Sequence, residues 1–104
     1  MSFILIMCTA GNIENAELIA DTIVKEKLAA CVNIVPQITS IYSWKKQVIT
    51  DKEVILLIKT KSGLFDNVVE RIRSLHTYEV PEIISFKIEN GFDKYIDWIN
   101  KETI

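Results

Sequence analysis

The chain has 104 residues, of which 49% are hydrophobic and 25% charged, with a formal charge of −2. That composition describes a single globular domain and excludes a disordered tail or a fibrous segment. The weak negative charge also argues against a nucleic-acid partner or an anionic membrane surface.

The first apolar run, Phe3 to Thr9, predicts a strand buried on both faces and closed by the turn Ala10-Gly11-Asn12. It is too short to span a bilayer and has no basic leader or cleavage site, so the expected compartment is the cytoplasm, with Cys8 and Cys31 as reduced thiols. Asn12 is placed to cap a helix whose apolar stripe is Ala16, Ile19, Ala20, Ile23, Val24 and Leu28. From Ala30 the period changes to two. Val32, Ile34, Pro36, Ile38, Ser40, Tyr42 and Trp44 are expected on one face of a long strand, and Val35, Thr39 and Ile41 on the other. Pro36 has no N–H for a ladder, which requires an edge position or a bulge.

Lys45-Lys46-Gln47 turns the chain into a second long strand, Val48 to Thr60. The outer half of this hairpin is too long for so small a domain to cover, and Tyr42, Trp44, Val48 and Ile49 are expected to pack against a second copy. Ser62 is read as the cap of a helix with the stripe Phe65, Val68, Val69, Ile72 and Leu75, and His76 in its last turn. Ile83 to Ile88 predicts a short strand. Asn90-Gly91 then opens a helix that carries Phe92, Tyr95, Ile96 and Ile99 on one face, with Trp98 beside it. The order closes into an α+β fold, a ferredoxin-like βαββαβ sandwich with strand order 4-1-3-2, helices on one face, an extra C-terminal helix and a long hairpin between the second and third strands.

The densest group of titratable side chains is His76-Thr77-Tyr78-Glu79-Val80-Pro81-Glu82, which holds the one histidine. Imidazole suits copper, zinc or nickel, the Cys31 thiolate suits copper(I) or zinc, and Glu79 and Glu82 are hard oxygen ligands. Each has a structural alternative: a helix-end histidine bonding a carbonyl, a cysteine packed as a small hydrophobe, a glutamate accepting backbone hydrogen bonds. There is no phosphate loop and no nucleophile elbow, and the chain is not expected to be an enzyme.

The set Leu28-Ala29-Ala30-Cys31-Val32-Asn33-Ile34, Ser40-x-Tyr42-x-Trp44, Glu53, Lys59-Thr60, His76-x-Tyr78-Glu79-x-Pro81-Glu82 and Gly91-x-x-x-Tyr95-x-x-Trp98 resembles the CutA family of divalent-cation tolerance proteins. The resemblance implies a ferredoxin-like protomer, a homotrimer of PII-like architecture, and association with copper or another divalent metal. Lys46 stands where that family usually has a hairpin glycine, and Thr77 where it has a proline. In this fold Cys31 and His76 lie at opposite ends of the sheet, on a length scale of roughly 25 Å for a strand of about eight residues. A site shared by both therefore has to cross a subunit boundary.

The first function expected is divalent-metal, above all copper, binding through His76, Glu79, Glu82 and Cys31. The alternative is a PII-like signalling or interaction module. It would hold a small effector in an inter-subunit cleft lined by aromatic residues, with Tyr42, Trp44, Tyr78, Tyr95 and Trp98 as cleft or interface residues, and would act on an unknown protein partner. RNA binding through the sheet lacks the aromatic and basic strand motif it needs.

Overall fold

The continuous apolar run forms β1, Phe3–Ala10, and the computed structural model, which describes residues 1–104, puts this strand inside the sheet, though with one face only half-buried at Leu5 and Met7 where burial on both was expected. Helix α1 follows at Ile13–Lys25, capped as its sequence implies: the Asn12 side chain accepts from the Asn15 N–H at 2.8 Å. The hairpin strands are β2, Cys31–Trp44, and β3, Gln47–Lys61. A 3-10 turn at Ser62–Leu64 leads into α2, Phe65–Leu75, before β4 at Ile83–Lys87 and α3 at Asp93–Glu102. All pairings are antiparallel and the order is β2-β3-β1-β4. Both β2 and β4 are therefore edges.

One face of the sheet carries Ile4, Ile6, Cys8 and Ala10 of β1 with Val54, Leu56 and Ile58 of β3, all buried under Ala16, Ile19 and Ile23 of α1 and Val68 and Ile72 of α2. The terminal helix departs from the expected layering. Ile99 of α3 packs with Phe3 and Ala30, and Phe3 alternates with Ile4, so α3 stands against one end of the opposite face. The rest of that face is open: Leu5, Met7, Ile55 and Leu57 are half-buried, and Ile84 and Phe86 are exposed.

Two helix starts also differ from the sequence reading. Ser62 does not cap α2; it begins the 3-10 turn and bonds Ser2 through its N–H, 2.9 Å to the Ser2 carbonyl, and through its hydroxyl. Helix α3 begins after Phe92, two residues beyond Asn90-Gly91, and Phe92 is left exposed instead of joining the buried stripe.

Pro36 sits on an edge strand and also at a bulge, where the register slips between Val35 and Ile38 and Gln37 takes φ 58°. The extra residue inverts the alternation of the strand beyond it. Val32 and Ile34 lie over the helices, but Ile38, Ser40, Tyr42 and Trp44 share a face with Cys31, Asn33 and Val35, which corrects the single even-numbered face expected from the sequence.

At the hairpin tip Lys45 and Lys46 both have positive φ, 48° and 65°, and Trp44 pairs with Gln47. Two consecutive left-handed residues make the tight turn whose twist matches the strands, at a cost of about 1 kcal/mol for each side-chain-bearing residue. Lys46→Gly relieves one of them. It is expected to raise stability by up to about 1 kcal/mol, read as a higher denaturation midpoint at unchanged slope.

Candidate functional site

The His76 segment leaves α2 and runs back over the end of β1. The His76 N–H still bonds the Ile72 carbonyl at 2.8 Å, and the ring then turns inward. Its Nδ1 accepts from the Tyr78 N–H at 3.0 Å, which places the proton on Nε2, and Nε2 donates to the Thr9 carbonyl at 2.7 Å. The Tyr78 ring packs on the imidazole with centroids 4.7 Å apart. Tyr78 also approaches Gly11, where an added Cβ would come within 3.2 Å of its hydroxyl oxygen. A glycine there lets the tyrosine lie close to the β1–α1 turn.

The Tyr78 hydroxyl donates to Glu53 Oε2 at 2.5 Å. Glu53, on β3, is buried; the sequence marked it only as part of the family resemblance and not as a site residue, and Asp51 was not singled out at all. The available signal was two carboxylates at alternate positions beside the apolar run that begins at Val54, on one face of a strand. Asp51 accepts a short hydrogen bond from the Tyr42 hydroxyl across the β2–β3 pair. Together with Thr9, Ser40, Ile41, Trp44, Glu79, Val80 and Glu82 these groups line a cleft of about 570 Å³. Burial, and then the bond to Glu53, push the Tyr78 hydroxyl above its ordinary range; the bond to Asp51 does the same for Tyr42.

The sequence-predicted residues fall into three places. Tyr42, Trp44, Tyr78, Glu79 and Glu82 come together in the cleft. Cys31, Tyr95 and Trp98 lie at the far end of the sheet: the Cys31 thiol sits 3.8 Å from Lys59 Nζ, the Tyr95 hydroxyl is raised by burial and then by Cys31, and Tyr95 and Trp98 stack with centroids 5.5 Å apart. His76 stands behind the cleft on Thr9. The register sets Cys31 four residues along β2 from the level of Thr9, about 13 Å, which is shorter than the expected separation but still beyond ligation of one ion.

The thiol on the His76 side is Cys8 instead. It is fully buried on β1, paired with Ile83, and desolvation followed by the charges of Glu82 and Glu53 pushes it up to about 12. Within the protomer no three His, Cys, Asp or Glu side chains converge on a common point. Both nitrogens of His76 are engaged, so a metal there has to displace one of two hydrogen bonds. Of the cleft carboxylates, Asp51 and Glu53 are likewise held by tyrosine hydroxyls, so Glu79 and Glu82 are the donors that need no such rearrangement.

A four-stranded antiparallel sheet with one open apolar face, a projecting hairpin and a cleft lined by carboxylates and tyrosines places the chain among the ferredoxin-like α+β proteins. The sequence matches the CutA1 divalent ion tolerance protein family over residues 4–102, and the chain belongs to that family, which is not one of enzymes. It is 45% identical over 98 residues to the divalent-cation tolerance protein CutA of Thermus thermophilus, covering 94% of this chain and 95% of that one. It is 44% identical over 100 residues to the chloroplastic protein CutA of Arabidopsis thaliana, covering 96% of this chain and 55% of that one. The crystal structure of CutA1 from Oryza sativa superposes with a TM-score of 0.97 at 42% identity, covering 100% of this chain and 95% of that one. No helix is long and apolar enough to cross a membrane.

Proposed function

We propose that the chain works as a homotrimer that holds divalent metal, copper foremost, in metal-ion tolerance, with the ion bound where the cleft of one protomer meets the next. The observation that carries this reading is the cleft itself, which gathers Asp51, Glu53, Glu79 and Glu82 without a single lysine or arginine in its lining. Glu79 and Glu82 are the first donors. His76 joins by releasing one of its two hydrogen bonds, and Cys31 enters from a neighbouring copy, since its own protomer holds it too far away. Self-association is favoured by the two open edges: β2 of one copy pairing with β4 of the next closes a ring and satisfies both. A cytoplasmic setting fits the two free thiols.

The experiment is a copper titration against a competing chelator on the wild type, Glu82→Gln, His76→Ala and Cys31→Ser, with the mass recorded on each sample. Saturation at a fixed ratio per trimer is expected, with a tenfold or greater loss of affinity in the variants while the trimer persists. Binding should also weaken as pH falls and the donors protonate. Weak binding that ignores all three substitutions contradicts the reading.

A second reading is favoured by a separate observation: Tyr42, Trp44 and Tyr78 line the same cleft with Ile41 and Val80. Aromatic and apolar walls around a few polar groups are what a small organic effector requires. In this reading the effector changes the assembled protein's contact with a protein partner.

A further inference from the structure

None of Asp51, Glu53, Glu79 and Glu82 takes part in an ion pair within the protomer; the three ion pairs join Lys25 to Asp21, Lys27 to Glu102 and Arg71 to Glu26. Glu53 is the most buried of the four. It is 7% exposed, its Oε2 is held by the neutral Tyr78 hydroxyl, and no hydrogen bond reaches its Oε1. A buried carboxylate ordinarily has a cation or several donors. The Tyr78 hydroxyl engages one of its two oxygens, and the other is free to take a partner from the cleft that Glu53 lines.

The aromatic walls narrow the kind of cation that answers it. The hydroxyls of Tyr42 and Tyr78 are tethered to Asp51 and Glu53, so both rings are held in place, and Trp44 completes the wall with Ile41 and Val80. A hydrated divalent ion takes oxygen donors and water and gains little from such walls. An alkylammonium uses both, because its charge is spread over C–H groups that are attracted to ring faces while carboxylates balance it. The cleft, about 570 Å³, is within the usual range for small-molecule sites.

We infer that this cleft binds a small alkylammonium cation, with Trp44, Tyr42 and Tyr78 as the aromatic wall and Glu53 as the principal counter-charge. The inference rests on the effector reading of the cleft and names the chemical class of that effector.

The test compares choline with 3,3-dimethyl-1-butanol, its neutral isostere in which carbon replaces the quaternary nitrogen. Both are titrated calorimetrically into the assembled protein at constant ionic strength with chelator present. Choline is expected to bind saturably and at least tenfold more tightly than the alcohol, with Trp44→Leu and Glu53→Gln each weakening it tenfold or more at unchanged mass. Trp44 is on the exposed arm, so Trp44→Leu remains informative if Glu53→Gln fails to fold. Equal affinity for the two probes overturns the charge inference but leaves a small-molecule cleft. Binding of neither, as when a basic side chain of a second copy fills the space, overturns both. Choline binding that survives both substitutions places the cation elsewhere and overturns the inference.

Discussion

Phe86→Asp is expected to convert the assembled protein to a folded monomer, with native circular dichroism retained and the mass by light scattering at micromolar concentration falling to that of a single chain. Phe86 lies on the sheet face that α1 and α2 do not cover, next to Leu5 in the register, and is 49% exposed in the protomer; Ile84 beside it is 46% exposed. A charge at a position this exposed costs the isolated protomer little. Met7, Leu57 and Ile55 extend the same face into a continuous apolar surface across three strands. Burying such a surface against another copy would favour association by roughly 25 cal/mol per Å² of apolar area removed from water. An aspartate at its centre has to be desolvated without a partner in the assembly, a cost of several kcal/mol repeated in every copy. Retention of the wild-type mass by Phe86→Asp would show that this face is not the interface. Lys101→Asp on α3, a charge change on an exposed helix position, is the matched control and should leave the mass unchanged.

The elements of the fold were legible from distinct signals: three- and four-residue spacing in α1 and α2, alternation along β2, and continuous apolar runs in β1 and the inner half of β3. Pro36 announced its bulge through the missing N–H. What it could not announce was the consequence, since one inserted residue inverts every side chain that follows, and Tyr42 and Trp44 consequently share a face with Cys31 instead of with Ile34. The cleft was half legible. Tyr78, Glu79 and Glu82 stood out by their density, whereas Asp51 and Glu53 sit in a hairpin more than twenty residues away and meet them only through β3–β1 pairing. Cys31 was the thiol chosen by motif, but the register brings Cys8 to the His76 side, and a cysteine inside an apolar strand gives no local sign of which loop will cross its end.

The buried thiol sets the second large effect, a loss of stability in alkali that Cys8→Ala removes. Cys8 is fully buried on the helix face of β1, and its ionisation is pushed from 9.0 to about 12, first by desolvation and then by the charges of Glu82 and Glu53. The folded state therefore keeps the proton that the unfolded chain gives up. A raised thiol pKa contributes stability that is fully present below the unfolded value and declines as pH climbs from about 9 toward the folded value of about 12. Across that window each pH unit removes about 1.4 kcal/mol. At neutral pH Cys8→Ala should cost roughly 1–3 kcal/mol, because a small cavity opens beside Leu56 and Ile83. By pH 11 the wild type has lost roughly 2–3 kcal/mol through the thiol while the alanine variant has lost nothing by this route. Lysines and tyrosines that titrate in the same range affect both proteins alike, so the difference between their urea-denaturation curves isolates Cys8. That difference should shrink steadily above pH 9 and approach zero or change sign near pH 11. Curves that stay parallel from pH 8 to pH 11 would mean that water or a local opening reaches the thiol, and that the end of β1 under the His76 segment is less tightly closed than its burial indicates.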